Sequence, residues 1–253
     1  DFTNREALLK LLRFTSTGSK DDAQRTSLAD YTGRMQADQD KIFYLVADNA
    51  QAGRQSPHLE VFAKQNIEVL LLTDRVDEWF MSFVNEFDGK QFQDVMRGDL
   101  DLSTDEAGKD DDPEDAEEDV DTLAKRIGDV LGDKVASVRR SRRLTESPSC
   151  LVLGEQDMGA QMRRIMEASG QTLPDTKPHF EFNPQHALIK SLEDADEERF
   201  ANLVKILFDQ ASLADGAPLN EPGDYVRRIN TLLVELLSPE TPKRCESHRG
   251  TAD

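Results

Sequence analysis

The apolar positions change period along the chain, and each change marks an element. Leu8, Leu9, Leu11 and Leu12 lie on one side of a short helix. The capping box Thr3-Asn4-Arg5-Glu6 opens it: the threonine side chain accepts from the amide three residues on, and Glu6 reaches back. Residues 14–22 are rich in Ser, Thr and Gly and read as a loop, and Ser27 caps a helical turn that runs through residue 34. Ile42-Phe43-Tyr44-Leu45-Val46-Ala47 is an unbroken run, as in a strand buried on both faces, and residues 69–72 make a second such strand. Between them Ser56 as N-cap and Pro57 at the first helical position start a helix carrying Leu59, Val61, Phe62 and Ala63. A helix crossing between two buried strands makes them parallel, so this segment is a βαβ unit. Asp74 is expected to cap a helix through about residue 85, with Val76, Trp79, Phe80, Phe83 and Val84 on or near one face. Phe87-Asp88-Gly89-Lys90 is a turn into a short strand over 91–95.

The periodicity then stops. Thirteen of the twenty-three residues 99–121 are Asp or Glu. Such a run repels itself and holds too little apolar surface to form a core, so residues 99–119 read as a domain linker. Helical spacing resumes with Val120, Leu123, Ala124, Ile127, Val130 and Leu131, and Gly132 ends it. Strands are expected over 135–144, 149–153 and 179–182, and helices over 155–169, 184–192, 196–214 and 222–237, with Asn183-Pro184 capping the second of these. Residues 238–253 have no period and read as a disordered tail. The fold class is therefore α+β with an α/β element. A small βαβ-containing piece (1–98) is followed by an α+β domain (120–237) with a three-stranded sheet and a terminal helix pair.

Composition narrows the function. The formal net charge of −19 argues against nucleic acid, whose binding rests on basic groups neutralising phosphates. The exception, Arg139-Arg140-Ser141-Arg142-Arg143, reads as a basic surface face or partner site. No apolar run is long enough to span a bilayer and no signal peptide is present, so no membrane partner is expected. Cys150 and Cys245 lack metal-ligand spacing and suit a reducing cytoplasm. The acidic run lacks the glycine turn and terminal Glu of a calcium loop. Gly-rich phosphate loops, zinc motifs and nucleophile elbows are missing, and His58, His179, His186 and His248 are scattered, so no catalytic residue and no metal ligand is assigned. His186 is most simply a first-turn helix residue.

The informative side chains are apolar. Met158, Met162, Ile165 and Met166 recur at helical spacing. They form either a core face or an adaptable binding surface, and the flexible, polarisable thioether suits the second. Gly154 and Gly159 favour a mobile segment there. Trp79, the sole tryptophan, is either a half-buried helix residue or an exposed interface anchor. Phe200, Leu203, Val204, Leu207, Phe208 and Ala211 make one stripe, and Tyr225, Ile229, Leu232, Leu233 and Leu236 another. These stripes either close a two-fold, four-helix dimer interface or pack as a hairpin on the chain's own strands.

Several segments together resemble the heat-shock protein 90 chaperones of the bacterial HtpG type. They are Asn4-Arg5 with Leu11-Leu12-Arg13-Phe14, residues 27–35, 42–48 and 68–79, Ser56-Pro57 and Phe87-Asp88-Gly89-Lys90. Arg143-Leu144-Thr145 with Ser147-Pro148, Asn183-Pro184-Gln185-His186 and the terminal helix pair complete the set. The likeness covers residues 2–237. It implies the late middle domain and the C-terminal dimerisation domain of a dimeric, ATP-driven clamp for partly folded clients. It implies client contact at Glu78, Trp79, Met158, Met162, Ile165 and Met166, and a homodimer through the two stripes. The ATP and Mg site of that family, with its middle-domain arginine, is expected upstream of Asp1, so no cofactor and no enzyme activity are expected in this chain. The terminal Met-Glu-Glu-Val-Asp of eukaryotic cytosolic relatives is missing, so no tetratricopeptide co-chaperone is expected and a bacterial source is. The competing functions are a dimeric scaffold module that is not a chaperone and, behind it, a βαβ hydrolase.

Overall fold

The computed structural model describes residues 5–19, 21–100, 114–171, 173 and 176–237. The chain is α+β, with helices accompanying mixed sheets of five and three strands. It falls into two compact units, one up to Leu219 and one from Asn220 onward.

The first sheet is built from α1 (Arg5–Leu11), β1 (Thr15–Ser16), α2 (Leu28–Thr32), β2 (Lys41–Val46), α3 (Ala50–Arg54), a 3-10 turn (Pro57–Leu59), α4 (Glu60–Lys64), β3 (Leu70–Leu72), α5 (Asp77–Met81), β4 (Glu86–Phe87) and β5 (Lys90–Asp94). The strand order is β1-β3-β2-β5-β4. The central β2 runs parallel to β3 on one side and to β5 on the other. Its unbroken apolar run follows from that position. Ile42 packs with Leu70, Leu72, Leu9, Leu28 and Tyr31 on one face, and Phe43 and Leu45 pack with Leu71, Leu59 and Phe62 on the other. The hairpin between β4 and β5 turns at Asp88 and Gly89, both with positive φ, the pairing a two-residue turn of the right twist needs.

Three local expectations change, and a fourth is sharpened. The segment 14–22 is not all loop: β1 lies in it and pairs antiparallel with β3, Thr15 opposite Leu71. α3 had no periodic signal; Asn49 announces it, its Oδ1 accepting from Ala52 N at 2.9 Å. The helix expected over 74–85 spans only Asp77–Met81. Asp74 does not cap it; instead Asp77 Oδ2 accepts from the Asp74 amide at 2.9 Å. At α2 the Ser27 cap is a full capping box with Asp30.

The rest of the first unit comprises α6 (Glu114–Leu131), a 3-10 turn (Gly132–Lys134), β6 (Ser137–Arg140), β7 (Ser149–Val152), α7 (Ala160–Ala168), β8 (His179–Phe182), α8 (Ala187–Lys190) and α9 (Glu197–Ala214). The expected three-stranded sheet is present with order β6-β8-β7; β8 is parallel to β6 and antiparallel to β7. Leu123, Ile127 and Leu131 of α6 and Phe200, Val204, Leu207 and Ala211 of α9 bury against Leu151, Phe180 and Phe182 of the sheet. α8 starts three residues later than expected. His186 is its cap, with Nδ1 accepting from Leu188 N at 3.1 Å, while Asn183 Oδ1 closes a turn to Gln185 N. In the second unit, α10 (Pro222–Leu237) buries none of its residues. The Thr3 capping box, most of the acidic linker, Cys245 and the tail 238–253 lie outside the described residues. Among the described residues no helix is long and apolar enough to cross a membrane.

Candidate functional site

Helix α5 divides its side chains between core and solvent. Met81 turns inward and is buried with Val84, while Val76, Trp79 and Phe83 face outward. Trp79 is 56% exposed and packs edge-to-face on Phe83, with ring centroids 4.9 Å apart. Ser82 Oγ donates to Trp79 O at 2.6 Å and closes the end of the turn. Trp79 is thus an exposed aromatic braced by a neighbour.

Helix α7 lies next to α5. Its expected start at residue 155 is too early, because Gly159 occupies the N-cap position and residues 155–158 precede the helix. Met158 is therefore not on the helical stripe; it is half-buried in the loop before it. Met162 and Met166 are half-buried, and Ile165 is 43% exposed. The stripe is neither core nor fully open, and it lies on a helix adjacent to the one that carries Trp79.

Glu78 corrects the expectation most sharply. It is only 7% exposed. Its Oε1 accepts from Gly159 N at 2.6 Å and from Arg97 Nη2 at 2.9 Å, and its Oε2 accepts from Met162 N at 2.8 Å. Both oxygens are engaged inside the chain. Arg97 Nε lies 2.9 Å from Asp94 Oδ2, and Asp94 Oδ1 accepts from Met96 N at 2.9 Å. Burial pushes the Asp94 carboxyl up from its ordinary value, against the pull of the Arg97 guanidinium and the Met96 amide. A cavity of about 40 Å³ lies among Val46, Asp94, Arg97, Gln161 and Arg164. Further along α7, Gln161 Nε2 donates to Ala47 O at 3.0 Å, and Arg164 bonds to Asp48 Oδ1 at 3.1 Å and to Gly216 O.

A second polar cluster, behind this one, ties the first sheet to the second. Arg143 is buried; its Nη1 donates to Val95 O at 2.6 Å, Nη2 to Gly98 O at 2.8 Å and Nε to Glu181 Oε2 at 3.0 Å. Ser141 Oγ and Arg139 Nε also donate to Glu181, at 2.9 and 3.0 Å. Of the basic run 139–143, Arg139 and Arg143 are gathered inward by this buried carboxylate, while Arg142 stays exposed. His58 is fully buried between Asp215 Oδ1, 3.1 Å from Nε2, and Arg143 Nη1, 3.5 Å from Nδ1. With Nε2 donating and Nδ1 accepting, both neighbours are satisfied. Glu60 accepts from the amides of Thr145, Glu146 and Ser147 at 2.6, 2.7 and 3.0 Å. Burial raises its carboxyl, but those hydrogen bonds outweigh it and hold the group below its ordinary value. Nothing in the apolar pattern pointed to these residues.

The expected dimer stripes have different fates. Phe200, Val204 and Leu207 are buried in the chain's own core, and Leu203 and Phe208 pack partly buried against it. That stripe serves the second sheet and is not a free seam, because α9 lies directly on β7 and its apolar face is already covered. On α10, Tyr225, Ile229 and Leu232 are half-buried, Leu233 is exposed and Leu236 is 77% exposed. Among the described residues no group of His, Cys, Asp or Glu is arranged to hold a metal ion. A family model described as Hsp90 protein matches residues 1–252 of the chain.

Proposed function

The chain belongs to the Hsp90 protein family, and from that premise we propose that it is the client-binding and dimerising portion of an ATP-dependent chaperone of the bacterial HtpG type. The observation that carries this reading is the set of large outward side chains, Val76, Trp79, Phe83 and Ile165, borne on or next to the adjacent helices α5 and α7, with Met162 and Met166 half-buried on α7. Large exposed apolar side chains gathered on one surface cost solubility and are best explained by binding. A braced tryptophan supplies a stiff anchor, and flexible methionines fit many apolar sequences, which suits clients that share only partial unfolding.

The rest of the proposal follows from the family. Two copies associate through α10, whose exposed leucines mark the seam. ATP and Mg serve the family's nucleotide site, and no residue described here is assigned to hold them. The chaperone acts in a bacterial cytoplasm. The competing scaffold function predicts dimerisation without client binding.

The test is suppression of aggregation of a thermally unfolding, unrelated protein, with Trp79→Ala as the variant. Suppression by the parent chain that weakens in Trp79→Ala supports the chaperone. A dimer that leaves aggregation untouched supports the scaffold instead.

A further inference from the structure

Resting on the client-surface reading above, we propose that Glu78 is a positioning residue. It fastens the methionine-bearing helix to the tryptophan-bearing one, and this clasp, rather than any contact with the client, is its part in binding.

Glu78 and Trp79 are neighbours on α5 yet face opposite ways, the carboxylate inward and the indole outward. Helix α7 begins without a capping side chain of its own, since Gly159 stands at its N-cap position. The amides at the start of a helix have no partner within it and carry the positive end of its dipole. Glu78 supplies the missing cap from another element, taking the amides of Gly159 and Met162 together. Arg97 grips the same carboxylate and reaches Asp94 at the end of β5, so the clasp runs from α7 through Glu78 and Arg97 to the first sheet. Gly159 fits this arrangement for a steric reason. Its φ of −70° suits any residue, but a Cβ there would collide with the Glu78 carboxylate.

The outer surface depends on that inner clasp. Met162 both donates its amide to Glu78 and begins the apolar stripe that continues to Ile165 and Met166. Gln161 and Arg164 hold the middle of α7 independently, so losing Glu78 loosens the first turn without releasing the helix. The apolar surface then separates into two pieces, each a weaker site than the whole.

Four variants test this: Glu78→Ala, Gly159→Ala, the two combined, and Trp79→Ala as a reference. The probe is fluorescein-labelled, reduced and carboxymethylated lactalbumin, titrated with the chain. Hydrogen–deuterium exchange is followed over 154–168, and the thermal midpoint is measured for each variant. Gly159→Ala removes no polar group, yet it should weaken probe binding about tenfold and speed exchange at the start of α7, with the midpoint little changed. Glu78→Ala should change binding and exchange in the same way and also lower the midpoint, because it leaves Arg97 and two amides without their acceptor. The double variant should be no worse than Glu78→Ala, because the added methyl then has room. If Glu78→Ala weakens binding while Gly159→Ala alters neither binding nor exchange, Glu78 meets the client directly and the inference is overturned. If both bind as the parent does while Trp79→Ala weakens, the inference falls and the surface reading stands. If Trp79→Ala also binds normally, both fall.

Discussion

Arg143 shows how much one residue can hold when it is charged and buried. Its guanidinium spends no donor on solvent: two nitrogens meet backbone carbonyls of the first sheet region and a third meets Glu181 of the second. Removing it orphans the Val95 and Gly98 carbonyls and leaves the buried Glu181 with Arg139 and Ser141 alone, which costs on the order of 3 kcal/mol. Arg143→Ala should therefore lower the thermal midpoint severely, and Arg143→Lys should rescue little, because an ammonium cannot reproduce the planar fork. Calorimetry on the two variants checks this; a fully stable lysine variant would refute it. Glu60 gives a pH signature. Its pKa is depressed in the folded chain by three backbone amides. Its contribution is therefore present above its ordinary value near 4.5 and is lost as pH falls through the depressed value. Glu60→Gln should flatten the fall of the thermal midpoint with acid below about pH 4.5, which a melting series at descending pH would show. Little of this was legible in the sequence. Charged residues are usually solvated, so a histidine, an arginine and two glutamates give no sign that they will meet inside.

At the scale of elements, legibility followed the strength of the apolar pattern. β2 and β3 were readable because burial on both faces requires an unbroken apolar run, and α9 because eighteen residues repeat one stripe. β1 was not, since a two-residue strand carries no period and is defined by its pairing with β3. The starts of α7 and α8 were placed too early because their caps, Gly159 and His186, look like interior residues until the hydrogen bonds are seen. That error put Met158 on a stripe it does not join. The α9 stripe was read correctly as apolar but not as covered, since period alone cannot say which surface meets it. The placement of α5 and α7 gives its own prediction. Met162→Ser with Met166→Ser should weaken binding of an unfolded protein several-fold. It should also cost about 1 kcal/mol or less of stability per residue, as both side chains are only half-buried. Titration and melting measured on the same samples decide it; a large loss of stability with unchanged affinity would make the stripe part of the core.

At the scale of the whole molecule, the proposed seam between copies lies on α10. Leu233→Glu with Leu236→Glu should convert dimers to monomers at micromolar concentration, because a closed seam would bury unpaired carboxylates. Sedimentation equilibrium reads this directly, and a parent chain that is already monomeric would refute the seam. One further consequence follows from where the single tryptophan stands. Its indole is wet in the native chain, whereas Tyr31 and the phenylalanines of the core are dry. Intrinsic emission excited at the red edge should therefore begin close to the wavelength of the unfolded chain and shift little during denaturant melting. The same emission should move to the blue when an unfolded protein docks, so the colour of this protein's own light reports occupancy and is nearly blind to folding.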